Sequence, residues 1–205
     1  MSIVFYGAPM SSASPVRSAL HELEVPHERV AVDLKKGDQK KPEFLKLNPN
    51  GKVPTIVVDG QPMFEAIAIM QWLGDRFGVA RGLWPSADSP ARLRALSFTT
   101  WAYVQYASEV KVLNYASSPQ APEAFHNAAV AEAARNQLQE LLGVLEREFA
   151  ASPYLLGTQF SLADLIVAAV VVWSTYCGVS TDAHPKVCDW LERCKARPSM
   201  QVESA

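Results

Sequence analysis

Cysteine is scarce and late in this chain: Cys177, Cys188 and Cys194 all fall within the last thirty of 205 residues. Their odd number and spacing suit neither a disulfide framework nor a tetrahedral metal site, so reduced thiols on C-terminal helices are expected. The four histidines, His21, His27, His126 and His184, have no obvious partner in sequence and read as surface or structural groups. Long apolar runs are missing too. The longest, Leu165–Trp173, has nine residues, far short of the roughly 20 that span a bilayer, and reads as a buried helix. A formal net charge of −2 gives no electrostatic case for nucleic acid or an anionic membrane surface as a partner. The N-terminus carries no charged segment followed by an apolar run, so no secretory signal is expected and a cytoplasmic location is the default. Repeats and low-complexity tracts are absent.

What is present is a chain with 49% hydrophobic residues, ample for a packed core in one large domain or two small ones. The first eighty residues alternate short strands and helices. The pattern predicts a strand at Ile3–Tyr6, a helix at Pro15–Leu23, a strand near Arg29–Asp33 and a short helix near Pro42–Leu47. A β-branched run, Thr55-Ile56-Val57-Val58, then meets Asp59-Gly60, a strong two-residue hairpin signal, and Met63-Phe64 supplies the returning strand. Glu65 opens a segment with Ile67, Met70, Leu73 and Phe77 at helical spacing. A strand that ends at a fresh helix N-terminus leaves backbone N–H groups unpaired, a natural seat for a carboxylate. Beyond Pro90 only helical periodicity appears. Arg92–Ala116 and Leu162–Tyr176 read as long helices, and Leu138, Leu141, Leu142, Leu145 and Phe149 share one face. The expected division is residues 1–79, a linker at 80–89 and an all-helical domain over 90–205.

The stretch from Asn48 to Leu73, NPNGKVPTIVVDGQPMFEAIAIMQWL, resembles the N-terminal domain of the soluble glutathione transferases, which show NPxGKVPxL, a DG turn and E-S-x-A-I-x-x-Y-L. Agreement begins at Ile3-Val4-Phe5-Tyr6-Gly7, runs through Val32-Asp33-Leu34 and Pro42-Glu43-Phe44-Leu45, and resumes at Ser161-Leu162-Ala163-Asp164. The similarity is to cytosolic members of that family, bacterial and serine-type or beta/phi-like. It implies a thioredoxin-like βαβαββα domain followed by an all-α domain. It also implies glutathione as co-substrate without a metal, a small hydrophobic electrophile as second substrate, and a homodimer. Other activities on the fold are a weakly active or non-catalytic binding protein and a glutathione-dependent isomerase or peroxidase.

A thiol with a pKa of about 8.5 is mostly protonated at neutral pH, and only the thiolate attacks electrophiles. Lowering that pKa by about 2 requires roughly 2.7 kcal/mol of preference for the anion. One charge-assisted hydrogen bond of roughly 1.5–3 kcal/mol and a helix terminus of about 0.3–1 suffice. By the resemblance, a serine of the loop Gly7–Ser14 supplies that bond. Ser11 is preferred and Ser12 is close behind, because alignments anchored on either side differ by about a residue. Ser14-Pro15 has the form of an N-cap followed by proline at the first helical position. Tyr6 is a second choice, with core packing as its commoner role. The loop holds no cysteine, which leaves noncovalent thiolate activation.

The same resemblance gives Val53, ahead of a cis Pro54, the cysteinyl backbone of glutathione, and Glu65 its γ-glutamyl ammonium. Gln39, Lys40 and Lys52 would reach the glycyl carboxylate. Ala66 stands where the family usually has serine or threonine; the missing hydroxyl donor is worth roughly 1.5–3 kcal/mol, which lowers the expected affinity. Met10, Trp101, Tyr103, Tyr106 and Lys111 are the expected electrophile pocket between the domains, although aromatics at such spacing are more often core. Ser161 and Asp164 are expected to form an N-capping box.

Overall fold

The β-branched and aromatic runs become strands close to where the sequence puts them. In the computed structural model, which describes residues 1–201, β1 spans Ile3–Gly7, β2 Glu28–Ala31, β3 Thr55–Val58 and β4 Gln61–Phe64. They form one sheet in the order β2-β1-β3-β4, with β1 parallel to β2 and the other two pairings antiparallel. The parallel pair requires a crossover, and α1 (Ser14–Glu22) supplies it, burying Val16, Ala19 and Leu20. Asp59 and Gly60 both have positive φ (47° and 84°), as the tight hairpin turn demands. α2 (Pro42–Leu45) buries Phe44, and α3 (Ala66–Leu73) buries Ile69, Met70 and Leu73. The thioredoxin-like βαβαββα order is the expected one.

Two local details differ from the sequence reading. β2 stops at Ala31, because Asp33 turns its backbone aside. Its carboxylate accepts the N–H of Lys35 (3.0 Å) and of Lys36 (3.1 Å), while its own N–H donates to Asp38 (3.1 Å). The N-cap of α1 is Ala13 rather than Ser14, whose hydroxyl instead accepts the Ser11 N–H at 3.3 Å.

The rest is helical: α4 (Pro90–Trp101), α5 (Ala107–Ser117), α6 (Ala128–Glu148), α7 (Leu162–Tyr176) and α8 (Pro185–Lys195). The helix expected over 92–116 carries a π turn at Ala102–Tyr106. α6 buries Leu138, Leu141, Leu142 and Leu145, as its periodicity predicts. The capping box at the start of α7 forms. Its fully buried Asp164 accepts from Ser161 N–H (2.9 Å), Ser161 Oγ (2.7 Å), Leu155 N–H (2.8 Å) and Trp190 Nε1 (3.0 Å). Burial pushes this carboxyl above its ordinary range against the pull of those donors. Among the described residues no helix is long and apolar enough to cross a membrane.

Among the described residues the chain forms two compact units, Met1–Ala87 with 197–201, and Asp88–Ala196. The segment after Arg197 was expected in the helical domain. It joins the first unit instead, because Arg197 and Ser199 both donate to Glu22 of α1, whose side chain is only 7% exposed. Burial opposes ionisation of Glu22, but these donors outweigh it and hold its carboxyl below the ordinary value of 4.5.

Two outcomes are expected. Asp164→Ala leaves three buried N–H donors without an acceptor and should cost about 3–5 kcal/mol in urea unfolding. Glu22→Gln should cost about 1–3 kcal/mol at pH 7. Because the folded-state pKa is depressed, that contribution is full above pH 4.5 and fades as pH falls through the folded value. Melts of wild type and variant should therefore converge only in acid.

Candidate functional site

Register decides what can meet at one end of the sheet. Tyr6 pairs with Thr55, and Thr55 pairs with Phe64. The residues just beyond these pairs are the loop after Gly7, Pro54 and Glu65, and they leave the sheet at the same end. The Val53–Pro54 peptide bond there is cis. Asn48 holds the loop before it: buried, it donates through Nδ2 to the Lys52 carbonyl (2.7 Å) and Thr55 Oγ1 (3.2 Å), and accepts the Asn50 N–H (3.0 Å). Gly51, at φ +57°, lets this loop close on residues 39 and 40; a Cβ there would stand 2.9 Å from the Gln39 carbonyl. Sequence reasoning gave Asn48 no role, although an Asn just ahead of Pro-Asn-Gly is a known turn former through its side chain.

The serine loop is internally tied. Met10 takes φ 50° with its side chain 91% exposed. Ser11 Oγ donates to the Ala8 carbonyl (2.7 Å) and accepts the Ala13 N–H (3.1 Å), so its hydroxyl is consumed within the loop. Ser12 is different. Its Oγ donates to the Val53 carbonyl at 2.7 Å, across 41 residues, which puts a surface hydroxyl on the main chain of the cis-proline loop. Tyr6 lies in β1, half-buried, with its ring edge-on to Phe44 at 6.0 Å.

Glu65 precedes α3 at φ 71°, ψ 113°, a backbone conformation that costs a non-glycine residue about 1–3 kcal/mol. Its carboxylate is exposed, and no side chain caps the first N–H groups of α3, which remain donors beside it. Ala66 is buried at that first turn. Lys40 extends over Gly51 with Nζ 3.4 Å from the Asn50 carbonyl, and Lys52 is exposed one residue before Val53. Gln39 donates weakly to the Leu34 carbonyl (3.4 Å), and its buried Oε1 has no donor.

The helical-unit residues divide. Tyr106 is fully buried; its hydroxyl pairs with Ser174 Oγ at 2.9 Å, and burial raises the phenol to about 12. It is a core residue rather than pocket lining: Thr99, Ala102, Tyr106 and Val110 form one buried row at helical spacing. Trp101 is half-buried with its ring 5.9 Å from that of Tyr106. Tyr103 is half-buried, its phenol also raised by burial, and Lys111 is exposed. Among the described residues no group of three His, Cys, Asp or Glu could hold a metal ion.

Taken together, one sheet end presents a hydroxyl, a helix N-terminus, a carboxylate and two lysines. Such a set can meet both anionic and cationic groups of a small polar ligand. Comparison with known proteins bears on this. The family described as "Glutathione S-transferase, N-terminal domain" matches residues 10–76, and "Glutathione S-transferase, C-terminal domain" matches 105–198. The chain is 33% identical over 205 residues to glutathione S-transferase 3 of Zea mays, covering 96% of this chain and 90% of that one. It is 30% identical over 204 residues to the disulfide-bond oxidoreductase YfcG of Escherichia coli K12, covering 96% and 92%. A theta class glutathione S-transferase from Xanthomonas axonopodis pv. citri, solved with glutathione bound, superposes with a TM-score of 0.86 at 25% identity, covering 98% and 96%.

Gly51→Ala is expected to lower stability by about 1–3 kcal/mol, through its positive φ and the clash with the Gln39 carbonyl. Thermal unfolding measures it.

Proposed function

Because the chain belongs to the glutathione S-transferase family, we propose that it binds glutathione at this sheet end and transfers the thiolate to a hydrophobic electrophile. In this reading Val53 pairs with the cysteinyl backbone. The first turn of α3 takes the γ-glutamyl carboxylate, Glu65 takes the ammonium, and Lys40, Lys52 and Gln39 take the glycyl carboxylate. Ala66 contributes only its N–H. Ser12 turns its hydroxyl from the Val53 carbonyl to the sulfur and stabilises the anion. The sulfur then attacks the electrophile. A C–S bond forms, the leaving group departs with its electron pair, and the thiol proton passes to solvent.

The observation that carries the reading is the 2.7 Å contact of Ser12 Oγ with the Val53 carbonyl. It favours Ser12 over Ser11, whose hydroxyl is already engaged at both ends. Trp101, Tyr103 and Lys111 of the helical unit retain surface with which to meet the electrophile. A homodimer belongs to the same reading, supported by large apolar side chains left exposed on the helical unit, Leu93 at 74% and Val104 at 63%.

A second reading, favoured by the similarity to a disulfide-bond oxidoreductase, sends the same thiolate to a disulfide. With no cysteine between Gly7 and Ser14, two glutathiones carry the exchange. The first forms a mixed disulfide and releases one thiol; the second releases the other and leaves glutathione disulfide. Assays with 1-chloro-2,4-dinitrobenzene and with hydroxyethyl disulfide separate the two. Calorimetry with S-methylglutathione tests the site itself, and absence of binding refutes both.

Ser12→Ala is expected to keep S-methylglutathione affinity within about threefold while raising the bound thiol pKa by about 1–2. Ser11→Ala should leave that pKa nearer wild type. An unshifted thiolate titration in Ser12→Ala would refute activation by this residue. Glu65→Ala should weaken glutathione binding about 10–100-fold with unfolding free energy unchanged within about 0.5 kcal/mol, since the side chain is exposed.

A further inference from the structure

Six of the chain's nine lysines, Lys35, Lys36, Lys40, Lys41, Lys46 and Lys52, lie within eighteen consecutive residues, and no arginine is among them. Over residues 33–52 the carboxylates are Asp33, Asp38 and Glu43, in a protein whose net charge is −2. Two of the three are committed to the turn. Asp33 holds the N–H groups of Lys35 and Lys36 and pairs with Lys36 Nζ (3.3 Å); Asp38 holds the Asp33 N–H and pairs with Lys41 Nζ (2.7 Å). The Lys36 N–H on Asp33 and the Lys41 ammonium on Asp38 hold both carboxyls below the usual range, and among the described residues their ion pairs are with Lys36 and Lys41 alone. Lys35, Lys40, Lys46 and Lys52 are exposed and enter no salt bridge among the described residues.

Two of these four cations lie at the cis-proline loop. Lys40 lies against it, with Nζ 3.4 Å from the Asn50 carbonyl, and Lys52 is part of it. Lys35 and Lys46 stand on the preceding turn and at the end of α2, farther out along the chain. Lysine carries a compact, hydrated charge on a flexible stem and lacks the rigid fork with which arginine clamps a carboxylate. A field of such charges raises the local concentration of an anion and its rate of arrival without trapping it in a wrong pose. Glutathione, with two carboxylates and one ammonium, arrives with a net charge of about −1, and its thiolate form carries about −2.

We propose that the lysine cluster of residues 35–52 is an electrostatic capture surface for the glutathione anion, in which Lys35 and Lys46 act at a distance, without touching the ligand. The proposal rests on the glutathione reading above. It accounts for why lysines concentrate beside a ligand seat in a chain that is otherwise acidic. It also offers compensation for the hydroxyl donor that Ala66 does not provide, since a long-range field adds affinity that the first turn of α3 lacks.

The test is the double variant Lys35→Gln/Lys46→Gln, compared with wild type by calorimetry with S-methylglutathione at low and high salt, and by kcat and KM with glutathione. The wild-type dissociation constant should rise about tenfold from low to high salt. The variant should bind about three- to tenfold more weakly at low salt and converge with wild type at high salt, where the screening length falls to a few ångströms. Its kcat at saturating glutathione and its melting temperature should match wild type. Glutathione monoethyl ester, whose blocked glycyl carboxylate removes the net charge, should show a smaller salt dependence. Variant and wild type binding alike at every salt concentration would overturn the capture surface and leave the glutathione site standing. Failure of wild type to bind S-methylglutathione at any salt concentration would overturn both.

Discussion

Thr55 is where the candidate site is anchored. It is fully buried, it pairs with Tyr6 on one side and with Phe64 on the other, and its hydroxyl meets the Asn48 amide. A one-residue slip of β3 would exchange its two faces, sending Ile56 outward. The same slip would separate Pro54 from Glu65 and move the cis-proline loop away from the serine loop. Ile56 is fully buried directly across from Phe5, so the hydrophobic core enforces the register that the chemistry of the site requires. The polar groups can stay open toward solvent because apolar packing behind them fixes where they are.

Much of this was legible in local signals. Asp59-Gly60 announced a turn with two positive φ values, the β-branched run before it announced β3, and the leucine spacing of α6 announced the face that is buried. Ser161 and Asp164 announced a cap, though not that Asp164 would also take Trp190 and Leu155. The order of strands and helices, together with the motif from Asn48 to Leu73, then led to the correct fold.

What could not be read depends on rotations and on distant partners. Ser11 and Ser12 are adjacent and chemically identical; which hydroxyl reaches Val53 is set by the Ser11 bonds to Ala8 and Ala13, which no periodicity encodes. Tyr103 and Tyr106 share one short segment, yet only the second is wholly interior, and the partner of its hydroxyl, Ser174, lies 68 residues away. The pairing of Glu22 with Arg197 spans 175 residues; neither residue differs from an ordinary surface charge until the fold brings them together. The clustering of lysines, by contrast, was in plain view, and its meaning appeared only when the turn hydrogen bonds showed which of them were already neutralised.

That long-range pairing bears on the order of assembly. Arg197 follows α4 through α8 in the chain, so a ribosome must finish the entire helical unit before the partner of Glu22 exists. α1 leads directly from the serine loop, and it therefore lacks this contact until Arg197 has been made. Until then the first unit lacks that tie on its leading helix, and completion of the end that carries the candidate site is coupled to delivery of the helices between.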